Sequence, residues 1–110
     1  MRRAWFLAVL CLAAFAARGA MREPMCAQQD TINGWSHPHK VDALTVRGLE
    51  LNQAKKSLLF VPSSLYVVLL WDESRTTAIE LDMPVMSPVG QEGRDERGVR
   101  WRVWKGRTCN

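Results

Sequence analysis

The chain has 110 residues, enough for one small domain with a modest core. Its formal charge of +4 includes Arg2 and Arg3, and without them 13 basic side chains face 11 acidic ones. Such a balance gives no support to nucleic-acid binding, which normally uses a strongly basic domain.

Residues 1–20 are organised like a secretory signal peptide. Arg2 and Arg3 precede an apolar run over 4–17, and the small-residue triplet 14–16 (Ala-Phe-Ala) predicts cleavage after residue 16, with residue 20 as the latest position. The run is shorter than the roughly 20 residues that span a bilayer, so we expect no transmembrane span in the mature chain. The sequence therefore predicts an exported protein, periplasmic or extracellular, and its alanine- and arginine-rich usage favours a bacterial envelope.

Cleavage would remove Cys11 and leave Cys26 and Cys109, one near each end of the mature domain. An oxidising compartment favours their pairing, and a disulfide closing so long a loop contributes roughly 4–5 kcal/mol in the chain-entropy model. Two free thiols or a link to another chain are the alternatives. The chain has no Cys-x-x-Cys pair, which argues against a redox role.

Residues 21–110 are predicted to form a single small β domain that begins with an irregular arm over 21–40. The arm is polar, and Asn33-Gly34 is a pair typical of turns. In the segment 41–51 (VDALTVRGLEL) every second residue is apolar, first at Leu44 and Val46 and then at Leu49 and Leu51, so the alternation shifts by one residue around Gly48. We favour a strand with a bulge at that glycine, and a helix from Asp42 onward is the alternative.

We then expect a turn over 52–57 and a short apolar strand over 58–61. Residues 65–71 (LYVVLLW) are apolar on both alternating faces, which predicts a central strand buried on both sides. The polar turn at 72–75 and the residues 76–81 (TTAIEL) complete a β-hairpin.

Prolines and glycines punctuate residues 83–98, which we expect to form a loop. Residues 99–105 (VRWRVWK) alternate as a strand, with Val99, Trp101 and Val103 on one face. The predicted fold class is mainly β: a small antiparallel sheet of five or six strands, curled as a barrel or sandwich, with one disulfide.

Charge is unevenly distributed, because an acidic stretch over 71–82 precedes a basic one over 94–107. We favour opposed charges that compensate each other across neighbouring strands, and an anionic-ligand patch is the alternative. Arginine and tryptophan are enriched in binding hot spots. The candidate binding residues are Arg94, Arg97, Arg100, Arg102 and Trp104.

The expected partner of these residues is an acidic envelope protein or an anionic glycan or lipid headgroup. Export argues against nucleic acid. Stacking of Arg102 on Trp104, or on a neighbouring aromatic ring, is an alternative purpose for the same residues.

His37 and His39 are weak candidates for a metal site, because two imidazoles alone do not complete a coordination shell. No motif indicates catalysis: Ser63-Ser64 lacks a nucleophile elbow, and no phosphate-binding glycine pattern is present. We therefore expect no cofactor, no enzymatic activity and a non-catalytic binding module. A metal-handling envelope protein using the two histidines and a structural component of the envelope are the alternatives.

Overall fold

The computed structural model of this protein describes residues 22–83 and 89–109, so the predicted signal peptide lies outside the described range. Within that range the chain forms seven strands and one helix. In chain order they are β1 (Glu23–Thr31), β2 (Gly34–Trp35), β3 (His39–Arg47), α1 (Gly48–Lys55), β4 (Leu65–Leu70), β5 (Thr76–Leu81), β6 (Gln91–Arg94) and β7 (Arg100–Lys105).

Six of the strands close into an antiparallel barrel in the order β1-β3-β4-β5-β6-β7, and β7 pairs back with β1. The short β2 forms a hairpin with β1 beside the barrel. Around the ring β4 and β7 are three strands apart in both directions, so they face each other across it. The β5–β6 contact is short, with only two residue pairs. The predicted small antiparallel β fold is confirmed, in its barrel form.

Alternation along each strand decides which side chains fill the barrel. Because successive side chains on a strand point to opposite faces, each strand contributes every second residue to the interior. The interior core is built from Met25, Ala27, Val41, Ala43, Val67, Leu69, Ile79, Leu81, Trp101 and Val103.

A second apolar layer lies outside the barrel, over β3, β4 and β5. Leu51 of α1 and Phe60 of the following loop are both buried in it. They pack on outward-facing strand residues, which are Leu44, Val46, Tyr66, Val68, Leu70 and Ala78. Strand β4 is therefore buried on both faces, as its sequence predicted.

Aromatic rings close the barrel end at which β4 finishes. The His39 ring meets the Trp71 ring edge-on at 5.9 Å, and the Trp71 and Trp101 rings are 6.1 Å apart. The Trp71 indole N–H donates to Thr77 Oγ1 at 2.8 Å, and the Trp101 indole N–H donates to Asp95 Oδ2 at 3.0 Å. The donors of the half-buried Trp71 and the buried Trp101 are thus both satisfied, as indole N–H groups removed from water require.

Asp95 organises the turn between β6 and β7 from a buried position. Its Oδ1 accepts hydrogen bonds from the backbone N–H groups of Arg97 and Val99, at 2.8 and 3.0 Å. Burial alone raises the pKa of this carboxyl, but the hydrogen bonds from Trp101, Val99 and Arg97 outweigh it, so the pKa is lowered. The carboxylate is therefore a structural anchor of this end of the barrel.

The predicted disulfide between Cys26 and Cys109 is present, with the two Cα atoms 5.5 Å apart. Cys26 lies in β1 opposite Trp104 of β7. The bond therefore joins the first strand to the segment that follows the last one, beside the ladder that closes the barrel.

The expectation of an irregular arm over 21–40 is wrong, because residues 23–31 form β1 and pair with both β3 and β7. The turn at Asn33-Gly34 is confirmed: Gly34 has a φ of +98° in the β1–β2 hairpin. Over 41–51 the chain is strand as far as Arg47 and helix afterwards. There is no bulge at Gly48, which starts the helix at a point where a Cβ would collide with the Val61 carbonyl.

Three further local predictions are corrected. The expected turn over 52–57 is mostly helix, which ends at Lys55 with Lys56 in the left-handed conformation. The expected strand over 58–61 is a loop. The expected loop over 83–98 contains β6, and Gly93 within it approaches the Glu80 backbone too closely for any side chain. Residues 84–88 lie outside the described part.

Candidate functional site

The outward face of β7 carries three of the five residues that the sequence suggested for binding. Arg100, Arg102 and Trp104 are spaced two residues apart, and the buried residues Trp101 and Val103 alternate with them. The barrel core therefore fixes which side chains of β7 point outward. The predicted alternation of this strand is confirmed.

Arg100 is held by two carboxylates on the neighbouring chain segments. Its Nη2 donates to Asp82 Oδ2 at 2.7 Å and to Glu92 Oε1 at 3.2 Å. These hydrogen bonds, with Asp82 contributing most, raise the pKa of Arg100. The predicted compensation of acidic and basic stretches across the sheet is found here, with β6 between them. The charge of Arg100 is therefore already balanced within the fold.

Arg102 is held differently, by an aromatic ring. Its guanidinium carbon lies 4.3 Å from the centroid of the Trp35 ring. Among the ion pairs of the described residues none involves Arg102. A guanidinium stacked on an aromatic face keeps its N–H donors around the rim, where they can form a bidentate pair with a carboxylate or phosphate. The expected stacking on a neighbouring aromatic is confirmed, and the ring is Trp35.

Trp104 is half-buried beside the disulfide. It lies opposite Cys26 in the β1–β7 ladder, and a Cβ at Gly106 would come within 3.9 Å of its ring. Gln28 of β1 lies opposite Arg102, and its side-chain amide donates to the Ser36 carbonyl at 3.1 Å. These residues form one outward surface, which we call the Trp–Arg face and define as Gln28, Trp35, Arg102 and Trp104.

The other two predicted arginines lie in β6 and in the β6–β7 turn. Arg94 is opposite Arg100 on β6 and has Glu80 of β5 on its other side. Arg97 is in the β6–β7 turn, where its Nη2 is 3.7 Å from Asp95 Oδ2. Four of the five predicted residues (Arg94, Arg100, Arg102 and Trp104) therefore share the outward face of the β6–β7 hairpin, and Arg97 lies in its turn.

A cleft of about 310 Å³ lies on the outer side of β5 and β6, with Tyr66, Glu80 and Arg94 among its walls. Glu80 accepts a 2.6 Å hydrogen bond from the Ser64 hydroxyl. Burial raises the pKa of the Tyr66 phenol, the backbone N–H of Val61 lowers it, and the nearby Glu80 raises it further; the net change is upward. No sequence pattern indicates this cleft, because its walls come from three distant chain segments.

The two histidines have different surroundings. His39 packs edge-on against Trp71, while His37 lies in the exposed link between β2 and β3. Within residues 22–83 and 89–109, no group of three or more histidine, cysteine, aspartate or glutamate side chains is arranged to hold a metal ion.

Trp35 belongs to the Trp–Arg face although no sequence pattern indicated it. It follows the Asn33-Gly34 turn, and only the folding of that turn brings it back beside β1, where it pairs with Asp30. Gln28 was likewise missed, since its strand was expected to be irregular.

No protein-family model, curated protein or solved structure matches this chain. None of the helices in the described ranges is long and apolar enough to cross a membrane.

Proposed function

We propose that this protein is an exported, non-catalytic binding module whose Trp–Arg face binds an anionic ligand of the cell envelope. The observation that carries the proposal is the Arg102 guanidinium, which lies over the Trp35 ring at 4.3 Å and forms no ion pair among the described residues, since its cross-strand neighbour Glu92 is paired with Arg100. An arginine held in this way is pre-oriented, so it loses less conformational freedom on binding than a free side chain.

The rest of the face fits the same purpose. Trp35, under the guanidinium, and Trp104, two residues along β7, provide large, partly exposed aromatic surfaces, and Gln28 supplies an amide on the adjacent strand. Tryptophan and arginine combine contact area with directed donors, the composition of binding hot spots. Among the described residues, the helix and loop pack over β3–β5 and not over β7.

Export is supported by the signal-like residues 1–20 and by the disulfide, which is typical of oxidising compartments. The ligand class follows from Arg102: a carboxylated or sulfated glycan, or an acidic protein surface.

The test is capture from envelope extract by the immobilised, oxidised protein and by the variant Arg102→Gln/Trp104→Ala. Arg75→Gln, which removes an exposed arginine in the β4–β5 hairpin, is the matched control. We expect the double variant to lose at least tenfold in captured ligand, because hot-spot residues typically contribute more than about 1.4 kcal/mol each. The control should capture as much as wild type.

Treatment of the extract with protease or with periodate distinguishes an acidic protein from a glycan. Equal capture by wild type and the double variant would refute the Trp–Arg face as the binding surface.

A further inference from the structure

Two adjacent leucines project from the loop between α1 and β4. The side chains of Leu58 and Leu59 are 95% and 88% exposed, although the next residue, Phe60, is buried in the outer apolar layer. Leu49 and Val61, close by in the chain, are also exposed. We call Leu58 and Leu59 the leucine tip. Apolar side chains gathered at one exposed place are typical of an interaction surface.

A buried asparagine holds the tip in this projecting conformation. Asn52 Nδ2 donates to the Phe60 carbonyl at 2.8 Å, and its Oδ1 accepts from the Phe60 N–H at 3.0 Å. The same Oδ1 accepts from the Ser57 hydroxyl, while the Asn52 carbonyl accepts from the Ser57 N–H at 2.9 Å. The residues on both sides of the tip are therefore fixed by one side chain. These hydrogen bonds of Asn52 keep the two leucines in solvent and prevent them from packing on the barrel.

The charges around the tip indicate what it contacts. Lys55 lies with its Nζ 5.5 Å from the centroid of the Phe60 ring, and Lys56 is the next residue. In the segment 48–64 the only acidic residue is Glu50. Leu59 also borders the cleft lined by Glu80, Arg94, Asp95 and Glu96, in which Glu80 is paired with Arg94 across the strands and Asp95 is buried. Apolar side chains flanked by lysines match an anionic bilayer surface, where the leucines enter the acyl region and the ammonium groups stay among the headgroups.

We propose that the leucine tip docks the protein reversibly on anionic lipid surfaces. The contact is small, so affinity should be no greater than that of a single acyl chain, about 10⁴ M⁻¹. The tip and the Trp–Arg face have no residue in common, and Leu59 lines the cleft on the outer side of β5 and β6. The inference concerns a different surface from the proposed function and does not depend on it.

The test is co-sedimentation of the oxidised protein with vesicles of phosphatidylethanolamine and phosphatidylglycerol, compared with phosphatidylcholine alone. The protein is purified after export, its N-terminus is determined by mass spectrometry, and all variants are compared in the same form. For Leu58→Ser/Leu59→Ser we expect at least a tenfold lower partition coefficient, because both apolar side chains leave the bilayer. Ile32→Ser is the matched control, since Ile32 is fully exposed in the β1–β2 turn.

For Lys55→Gln/Lys56→Gln we expect a loss of about fivefold per lysine on anionic vesicles only. A Leu59→Trp variant should show a blue-shifted emission when anionic vesicles are added. The proposal is overturned if wild type does not bind anionic vesicles at millimolar lipid, or if serine at the tip leaves binding unchanged. Loss of self-association in the serine variant, measured by sedimentation without lipid, combined with no vesicle binding by wild type, would instead assign the tip to a second copy of this chain.

Discussion

Replacing Cys26 and Cys109 together by alanine is expected to lower the free energy of unfolding by about 4 kcal/mol. In the unfolded chain the bond joins residues 83 positions apart, so it restricts nearly the whole domain. In the folded chain the β1–β7 ladder already places the two ends side by side, so the bond adds little constraint there. The stabilisation therefore comes mainly from the loss of freedom in the unfolded state.

Urea unfolding of the oxidised wild type and the double variant measures this difference, in a Cys11→Ala background that removes the third thiol. The midpoint of thermal unfolding should fall by roughly 15–30 °C for a domain of this size. Wild type treated with a reductant should match the variant. A difference below about 1 kcal/mol would show that the unfolded chain is already compact enough to make the link redundant.

Replacing Asp95 by alanine is expected to cost about 3–4 kcal/mol of stability. The change leaves the buried Trp101 indole N–H without its acceptor and removes both hydrogen bonds that hold the backbone N–H groups of Arg97 and Val99. Hydrogen bonds to a charged acceptor contribute about 1.5–3 kcal/mol each, and unsatisfied buried donors are costly. Urea unfolding followed by tryptophan fluorescence measures the loss, because Trp101 packs in the affected end of the barrel.

The lowered pKa of Asp95 gives this prediction a pH dependence. A carboxyl whose pKa is lower in the folded state stabilises the fold above its unfolded pKa of 3.8, and the contribution is lost as pH falls through the folded value. The difference in stability between wild type and Asp95→Asn should therefore be constant above about pH 5 and shrink below pH 4.

Glu96→Ala is the control for both measurements, since this neighbouring carboxylate is exposed. An Asp95→Ala variant as stable as Glu96→Ala would show that the turn finds other partners for its donors. If the free energies of unfolding of wild type and Asp95→Asn differ by the same amount at pH 7 and at pH 3, the proposed role of the carboxylate is contradicted.

Strands with strong local patterns were predictable from the sequence, and strands that depend on distant partners were not. The apolar run of β4 and the alternation of β7 are local signals, and both strands form where expected. Strand β1 has only Met25 and Ala27 as interior apolar residues, and its stability comes from pairing with β3 and β7. Strand β6 (QEGR) has no apolar residue, so only the closing of the barrel makes it a strand.

The residues of the Trp–Arg face also divide into those with a local sequence pattern and those that depend on distant pairing. Arg102 and Trp104 were predicted because they share the alternating pattern of one strand. Trp35 and Gln28 come from chain segments that meet β7 only through β1 and its hairpin. The charge of Arg100 is balanced mainly by Asp82 of the predicted acidic stretch and also by Glu92 of β6, a strand that the sequence did not reveal.

The β5–β6 ladder is the shortest in the barrel, so the sheet is held closed most weakly at this point. The ladder between these strands consists of the pairs Glu80–Arg94 and Leu81–Gly93, extended by a hydrogen bond from the Asp82 N–H to the Glu92 carbonyl, whereas the neighbouring ladders are longer. Local opening follows the weakest cooperative unit, so the first fluctuation of the fold should separate β5 from β6. In the opened sheet β7 stays paired with β1 and the disulfide stays intact. Helix α1 stays packed on β3 and β4. Separation of β5 from β6 would leave β7 paired with β1, and with it the Trp–Arg face, whereas it would widen the cleft that Leu59 lines.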